Sequence, residues 1–323
     1  MISEKVIKQN IPTALKTVSI KGLGKKQSGK VRDWFEKDGF RVLIATDRIS
    51  AFDRIVGLIP FRGAVLNKLS EFWFEKTRDI VTNHMIGVVD PNAMLISHAT
   101  PIPLEVVVRA YITGVTDTSL WKQYSEGKRL IYGIKFPDNL KKNQKLAKAV
   151  ITPTTRATGK SGNDEPITSK EIIKRKIVPA ATWKKIENIA LALFERGTKI
   201  ADKAGFILAD TKYEFRFDRR GEVILIDEIH TPDSSRFWDK KTYKQKFKKG
   251  EEPENYDKEY MRLWFAKQGY TGRGKVPKMP SDLIVKISQR YMEVFERISG
   301  EKFEIDTSKP QLLRIVQNLN KLL

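Results

Sequence analysis

Apolar and polar positions alternate along residues 205–238, and this alternation predicts a β-hairpin. Two runs rich in β-branched and aromatic residues flank the polar turn DRRG, residues 218–221. Such a turn between alternating runs is typical of a hairpin loop. If those four residues form the loop, Phe217 pairs with Glu222 across the ladder. That register determines which side chains of the two strands share a face.

The register gathers charged side chains on one face of this hairpin. Asp210, Lys212 and Glu214 share that face because side chains alternate with period two. Asp227 lies opposite Lys212, and Leu225 lies opposite Glu214. The acids are then diagonal neighbours at roughly 7–8 Å, so Lys212 or a divalent cation such as Mg²⁺ must compensate their repulsion. The alternative is a solvated strand face with one ion pair. The opposite face is expected to pack on the core and holds Tyr213, Phe215 and Ile226.

A second hairpin is predicted near the N-terminus. Residues 24–30 match G-x-x-x-x-G-K, the start of a P-loop, but Val31 stands where that motif requires Ser or Thr. The pattern that follows is strand, turn and strand, whereas a P-loop opens a helix. A glycine leading into a hairpin with Lys30 and Arg32 instead suits a flap over nucleotide phosphates. The alternative is an ordinary basic edge strand.

The remaining segments predict a mixed α and β fold. Residues 104–114 predict a strand in which Arg109 shares a face with Glu105. An arginine in so apolar a strand needs a partner, which is either Glu105 or a bound anion. Residues 137–168 predict a long irregular loop that could close over a ligand, and the Lys-rich residues 240–249 predict a solvated loop. Helical spacing predicts helices over residues 63–76, 169–176, 182–203, 256–268 and 281–299, and from residue 309 onward.

Composition narrows the classes of function. The sequence has no cysteine, which excludes disulfides and thiol chemistry. The 60 basic and 39 acidic residues give a net charge of +21, which suits anionic small molecules or nucleic acid. Because the basic residues are spread along the chain, no nucleic-acid partner is expected. The first residues lack an apolar leader and no apolar run approaches about 18 residues, so we expect a cytoplasmic protein without a membrane partner.

Seven stretches together resemble the SAICAR synthetases, the phosphoribosylaminoimidazole-succinocarboxamide synthases of purine biosynthesis. They follow the family's order through most of the chain, and the resemblance is closest to the longer form of the enzyme. The stretches are SGKVRD (28–33), ATDRISAFD (45–53), KLSEFWF (68–74), PLEVVVRAYITG (103–114), ADTKYEF (209–215), DEIHTPDSSRFW (227–238) and YDKEYMRLW (256–264).

The resemblance implies an α+β fold of two lobes, with ATP in the cleft between them. A smaller β-rich lobe would comprise residues 1–100, and a larger lobe residues 101–323. The implied enzyme uses ATP and Mg²⁺ to form the amide between the carboxylate of carboxyaminoimidazole ribotide (CAIR) and L-aspartate. We expect an acyl phosphate intermediate, because a carboxylate and an amine do not condense unaided in water. A protein kinase would share the flap and the acidic pair, but the sequence lacks its H-R-D and D-F-G motifs. A monomer is favoured.

The resemblance also assigns site residues, position by position. The implied catalytic residues are Lys30, Lys212, Glu214 and Asp227; these four and Arg32 bind ATP, and Glu214 and Asp227 bind Mg²⁺, with Asp210 supporting them. The implied ribotide residues are Arg109, Ser119, Asp233, Ser234 and Arg236, with Lys258 and Arg262 at the 5′-phosphate. Asp53, Asn163 and Asp164 are assigned to the aspartate and carboxylate side, and residues 98–104 to a stiff connector beside the adenine.

Two positions depart from the family's pattern. Many members have serine directly after the glycine that follows the Arg109 strand. Here Gly114 is followed by VTDTS, so Ser119 is the expected ribotide contact and Thr118 is the alternative. Arg156 stands where relatives have lysine. Arginine keeps the charge but changes the geometry of the contact.

Overall fold

A computed structural model of the chain describes residues 1–37, 39–156 and 164–321. Within these residues the strands are β1 (Lys26–Ser28), β2 (Arg32–Lys37), β3 (Phe40–Ala45), β4 (Arg48–Ala51), β5 (Arg54–Leu58), β6 (Met85–Asp90), β7 (Ala93–Ser97), β8 (Thr100–Ile112), β9 (Leu130–Ile131), β10 (Ile134–Lys135), β11 (Gln144–Thr155), β12 (Phe206–Phe217), β13 (Val223–Ile226) and β14 (Ser235–Asp239). The helices are α1 (Glu4–Gln9), α2 (Arg62–Lys76), α3 (Leu120–Ser125), α4 (Ser169–Lys174), α5 (Ala180–Lys203), α6 (Lys240–Lys249), α7 (Lys258–Lys267), α8 (Ser281–Ser299) and α9 (Gln311–Asn320).

The first sheet contains the predicted N-terminal hairpin. Its order is β1-β2-β3-β7-β6, and β2 pairs with β3 so that Arg32 lies opposite Ala45. Phe35 and Val42, both buried, pack in one apolar cluster with Ile315 of α9. The C-terminal helix therefore covers the sheet that carries the flap, although the two are far apart in the sequence.

A second sheet forms the centre of the molecule. Its order is β11-β8-β12-β13, and β14 also pairs with β12. The antiparallel register of β8 and β12 places Asp210 opposite Arg109 and Glu214 opposite Glu105. Helix α5 packs against β12 and buries its apolar face, including Trp183. The alternation along β12 thus gives one face to the core and leaves the charged face for a site.

The hairpin of β12 and β13 forms, but its predicted register is wrong by one residue. Glu214 lies opposite Ile226 rather than Leu225, because the loop has five residues instead of four. The carboxylate of Asp218 accepts a hydrogen bond from the backbone N–H of Glu222 at 2.8 Å. Such side-chain contacts within a turn stabilise the wider loop.

The corrected register exchanges the two faces of β13. Leu225, which lies opposite Phe215, joins the main apolar cluster, whereas Ile226 is buried outside that cluster. The predicted pairing of Lys212 with Asp227 across the ladder is also wrong. Strand β13 ends at Ile226, and Asp227 leaves the ladder with a φ of 68°.

The predicted irregular loop over residues 137–168 is wrong for its middle part. Residues 144–155 form the long strand β11, which pairs with β8. The pairing shifts between Lys145 and Val150, and a bulge of this kind interrupts the alternation from which a strand is recognised. Asn163, which the resemblance assigned to the aspartate and carboxylate side, lies outside the described residues.

The predicted solvated loop over residues 240–249 is also wrong, because these residues form helix α6. The carboxylate of Asp239 accepts the backbone N–H of Thr242 at 2.8 Å and caps the N-terminus. Gly250, with a φ of 71°, ends the helix. Its side chains are exposed or half-buried, so solvation was predicted correctly while the backbone conformation was not.

The other predicted helices are confirmed, with ends that differ by at most two residues. The bounds of α8 agree with the prediction at both ends. Most of the predicted connector over residues 98–104 belongs to β8, which begins at Thr100. Among the described parts of the chain, none of the helices is both long and apolar enough to cross a membrane.

Two buried histidines are expected to make stability depend on pH. Burial lowers the pKa of His84 and of His230 to about 3, whereas an unfolded histidine titrates near its ordinary value of 6.5. The unfolded chain therefore binds more protons below that value, and stability that is complete above pH 6.5 is lost as the pH falls toward 3. Each histidine should lower the free energy of unfolding by roughly 2 kcal/mol between pH 7 and pH 5.

Urea unfolding at pH 7, 6 and 5 would measure this loss. The change His84→Phe removes one titrating group next to the ring of Phe74, which lies 5.4 Å from the imidazole. The variant should show about half of the wild-type pH dependence. An unchanged pH dependence would contradict the assignment to His84.

Candidate active site

The centre of the site is a lysine between two acids on neighbouring strands. Glu105 of β8 and Glu214 of β12 lie opposite each other, a position that like charges disfavour. Lys212 Nζ donates to Glu105 Oε1 at 2.9 Å and to Glu214 Oε1 at 2.5 Å. Burial alone would lower the pKa of Lys212, but the attraction of Glu214 and Glu105 raises it above its ordinary value. The lysine therefore stays charged and holds both acids in place.

Asp227 reaches this cluster from a left-handed backbone conformation, which residues other than glycine rarely adopt. Arg32 Nη1, on the flap hairpin, donates to Asp227 Oδ1 at 2.6 Å. Arg32 Nη2 also lies 2.8 Å from Glu228 Oε2, a charge contact without hydrogen-bond geometry. Burial raises the pKa of Asp227, but Arg32 and Lys212 outweigh burial and the net pKa is lowered. The flap and the central sheet thus meet at an ionised carboxylate.

The second oxygen of Glu214 is occupied by Arg156. Arg156 Nη1 donates to Glu214 Oε2 at 2.8 Å. The arginine side chain is 50% exposed, whereas that of Glu214 is 7% exposed. Because Lys212 takes the other oxygen, both oxygens of Glu214 are bound to cations.

Lys30 makes its ion pair outside this cluster. Its Nζ lies 2.7 Å from Asp53 Oδ1, and both side chains are largely exposed. The structure therefore brings together a residue assigned to ATP and one assigned to the aspartate side.

Asp210 lies between two arginines that were assigned to the ribotide. Arg109 Nη1 and Arg236 Nη1 both donate to Asp210 Oδ2, at 3.1 Å and 2.5 Å. The expectation of Glu105 as the partner of Arg109 is therefore wrong, since Asp210 is the partner. Asp210 also pairs with these arginines instead of supporting the acidic cluster around Lys212. Arginines fixed in this way present planar donors that suit an anionic ligand.

Asp233 is the centre of a buried charge network. Its carboxylate accepts from Arg62, from Lys258 Nζ at 2.5 Å and from the Tyr291 hydroxyl at 2.9 Å. The side chain of Asp233 is 1% exposed. Burial raises its pKa, but Arg62 and Lys258 outweigh burial and hold the pKa well below the ordinary range. Asp233 is thus ionised and positions the ammonium group of Lys258.

The remaining assigned residues lie in turns or on helices around these groups. Ser119 Oγ donates to the backbone carbonyl of Thr116 at 2.6 Å, and the carbonyl of Thr118 accepts from Arg109 Nη2 at 3.2 Å. Ser234 Oγ accepts the backbone N–H of Thr231 at 3.2 Å. Arg262 pairs with Glu259 at 3.2 Å. Asp164 acts electrostatically on Glu105.

The donor set around Glu214 fits a magnesium ion shared with phosphate groups. Within residues 1–37, 39–156 and 164–321, no group of three or more His, Cys, Asp or Glu residues could hold a metal ion. Mg²⁺ usually takes one or two carboxylates and completes its shell with water and phosphate oxygens. Glu214 and Asp227 both act electrostatically on Lys212 and on Arg32. The two carboxylates therefore lie near the same two cations. Together they supply the one or two carboxylates that Mg²⁺ usually takes.

Several residues of the site were missed or misassigned from the sequence. Glu228 follows Asp227 directly, and strand alternation would put it on the other face. The left-handed conformation of Asp227 has no pattern in the sequence that predicts it. Arg62 and Tyr291 come from α2 and α8, and no spacing rule connects either of them to the turn after β13.

Three comparisons with known proteins agree. A family profile described as SAICAR synthetase matches residues 25–279. The phosphoribosylaminoimidazole-succinocarboxamide synthase of Legionella pneumophila (strain Paris) is 46% identical over 302 residues, which cover 93% of this chain and 96% of the relative. A SAICAR synthase from Saccharomyces cerevisiae, solved in complex with SAICAR, has a TM-score of 0.78 and 33% identity, and the match covers 90% of this chain and 100% of that chain. A SAICAR synthetase (Type-2) in complex with ADP has a TM-score of 0.67 and 26% identity, with coverage of 87% and 100%.

Proposed function

The chain belongs to the SAICAR synthetase family, and from this premise we propose which of its residues carry out the family's reaction. The chain is an ATP-dependent carbon–nitrogen ligase of purine biosynthesis that joins CAIR and L-aspartate to give SAICAR, ADP and phosphate. It has the α+β fold of these enzymes. The observation on which the assignment of residues rests is the pair Glu214 and Asp227, held by cations where the flap meets the central sheet.

The nucleotide is assigned to this junction. A related structure contains ADP, which supports a nucleotide site in this fold. Glu214 and Asp227 would hold Mg²⁺, which when bound neutralises charge on the phosphates. Lys212 keeps Glu214 oriented through its hydrogen bond, and Arg32 does the same for Asp227. Arg32 and Lys30 contact the phosphates from the flap side.

The ribotide is assigned to the arginine pair and to the N-terminus of α7. Arg109 and Arg236 bind its anionic groups, and Lys258 with Arg262 takes the 5′-phosphate. Asp233 acts through Lys258, whose ammonium group it contacts. Ser119, with Thr118 as the alternative, and Ser234 complete the ribotide contacts, and Asp53 and Asp164 belong to the aspartate side.

The proposed reaction has two steps, and no side-chain nucleophile is needed. A carboxylate oxygen of CAIR attacks the γ-phosphorus, the bond to the β-phosphate oxygen breaks, and ADP leaves. The neutral amine of aspartate then attacks the acyl carbon of the resulting acyl phosphate. The carbon–oxygen bond breaks, the amine loses a proton to solvent, and phosphate departs with one oxygen of the original carboxylate. Positioning and charge neutralisation supply most of the acceleration in such transfers.

One experiment tests both the reaction and its intermediate. CAIR labelled with ¹⁸O in its carboxylate is incubated with ATP, Mg²⁺ and aspartate, and each substrate is omitted in turn. We expect ADP release to require CAIR and aspartate, and the released phosphate to contain ¹⁸O. ADP release that does not depend on aspartate would indicate a kinase. Released phosphate without ¹⁸O would contradict the acyl phosphate intermediate.

Three broader assignments stay predictions. They are a division into lobes of residues 1–100 and 101–323 with the nucleotide between them, a monomeric state, and a cytoplasmic location. Limited proteolysis and light scattering are the direct measurements for the first two.

A further inference from the structure

The guanidinium group of Arg156 sits on an oxygen that a divalent cation would need. Glu214 has two carboxylate oxygens, of which Lys212 takes Oε1 and Arg156 takes Oε2. We propose that Arg156 occupies the Glu214 oxygen that a metal would bind, so that the nucleotide-free protein excludes a free divalent cation. Arg156 leaves the carboxylate when the phosphates of a nucleotide offer it another anion. This inference rests on the function proposed above.

Burial decides which partner of this ion pair moves. The side chain of Glu214 is 7% exposed and is fixed by Lys212, whereas that of Arg156 is 50% exposed. The backbone N–H of Arg156 donates to the carbonyl of Pro103 at 3.1 Å, so the main chain is anchored while the side chain reaches out. The arginine can therefore turn away and leave the carboxylate in position.

Arg156 differs in this respect from the arginine on the other metal-binding acid. Arg32 pairs with Asp227, but its side chain is 16% exposed and also contacts Glu228. In the described part of the chain, Glu214 is the acid with which the side chain of Arg156 forms a salt bridge. Arg156 is thus the more readily released of the two arginines.

Phosphate groups are suited to take over a released arginine. A guanidinium group binds phosphate oxygens through two parallel N–H donors. Every charge keeps a partner in this exchange. The arginine moves from the carboxylate of Glu214 to a phosphate, and the carboxylate binds the metal in its place. Metal and nucleotide would therefore enter together, and free metal would bind poorly.

Binding of Mn²⁺ to the nucleotide-free protein tests the exchange without turnover. Electron paramagnetic resonance measures free Mn²⁺ during a titration. Arg156→Gln should bind Mn²⁺ at least about tenfold more tightly than wild type, because a charge-assisted hydrogen bond no longer competes for Glu214. Arg156→Lys keeps a cation and should stay near wild type.

Arg216→Gln is the matched control for the lost positive charge. Arg216 acts electrostatically on Glu214 and Asp227, but its Nη1 donates to the carbonyl of Ala99 at 3.1 Å. Its removal lowers the local charge without freeing an oxygen of Glu214, so we expect a gain of about threefold or less. A gain for Arg156→Gln no larger than that of Arg216→Gln overturns the proposal.

Metal-free ADP tests the second half of the exchange. In the presence of EDTA, Arg156→Gln should bind ADP several-fold more weakly than wild type, and equal affinities would show that Arg156 does not pass to the phosphates. Failure of the proposed function looks different. In that case wild type itself would not bind the Mn²⁺–ADP complex, whatever residue 156 is.

Discussion

Glu214→Gln is expected to reduce SAICAR formation by at least about 10²-fold, to the background of an ADP-release assay. Glutamine has the shape of glutamate but no charge, so it removes the carboxylate that Mg²⁺ would need. It also leaves Arg156 without its partner on Oε2. The fold should survive, because Lys212 keeps Glu105 at 2.9 Å and the repulsion between Glu105 and residue 214 disappears. We expect the free energy of unfolding to change by about 1 kcal/mol or less, because the cations left behind, Arg156 and Lys212, are 50% and 28% exposed and stay in contact with water.

Glu222→Gln provides a matched control on the same hairpin. Glu222 is 64% exposed and pairs with Lys185 at the surface, so its variant should retain wild-type turnover. Binding of Mn²⁺–ADP also distinguishes the two variants, since Glu214→Gln should weaken it and Glu222→Gln should not. Near-normal turnover by Glu214→Gln would show that the metal site lies elsewhere.

Local patterns predicted the elements that depend on local forces. Helix α8 has a continuous apolar face and a C-terminal glycine, Gly300, and its bounds were predicted correctly. Strand β11 was missed because its lysines and its shifted pairing hide the alternation. The register of β12 and β13 was missed because it depends on the contacts of Asp218 inside the turn. A pattern of hydrophobicity contains no information about such contacts.

The site shows the same division between local and distant information. Alternation along β12 grouped Lys212 with Glu214, and the structure confirms that grouping. Their ion-pair partners come from elsewhere in the chain, Glu105 from β8 and Arg156 from the position directly after β11. The alternation placed Asp210 correctly on the same strand face as Lys212 and Glu214. Its partner, however, is Arg109 on the neighbouring strand β8. Ion pairs between distant segments follow from tertiary packing, which spacing along one segment does not encode.

Asp233→Asn is expected to destabilise the protein by about 3–5 kcal/mol. Asparagine fits the space but cannot balance Arg62 and Lys258, whose side chains are 0% and 12% exposed. Two buried cations would then face each other beside the Tyr291 hydroxyl. Urea unfolding at pH 7 measures the loss.

Arg62→Met removes one of the cations instead of the carboxylate. It should lower the free energy of unfolding by less than half as much, because Asp233 keeps Lys258 and Tyr291 as partners. The pH dependence gives an independent check. Since the folded pKa of Asp233 lies below its ordinary value of 3.8, its contribution is present above that pH and is lost as the pH falls below it. The difference between wild type and Asp233→Asn should therefore be constant from pH 8 to pH 5 and shrink below about pH 4. If Arg62→Met were the more damaging change, the carboxylate would not be the centre of this network, and the role of Asp233 in positioning Lys258 would have to be abandoned.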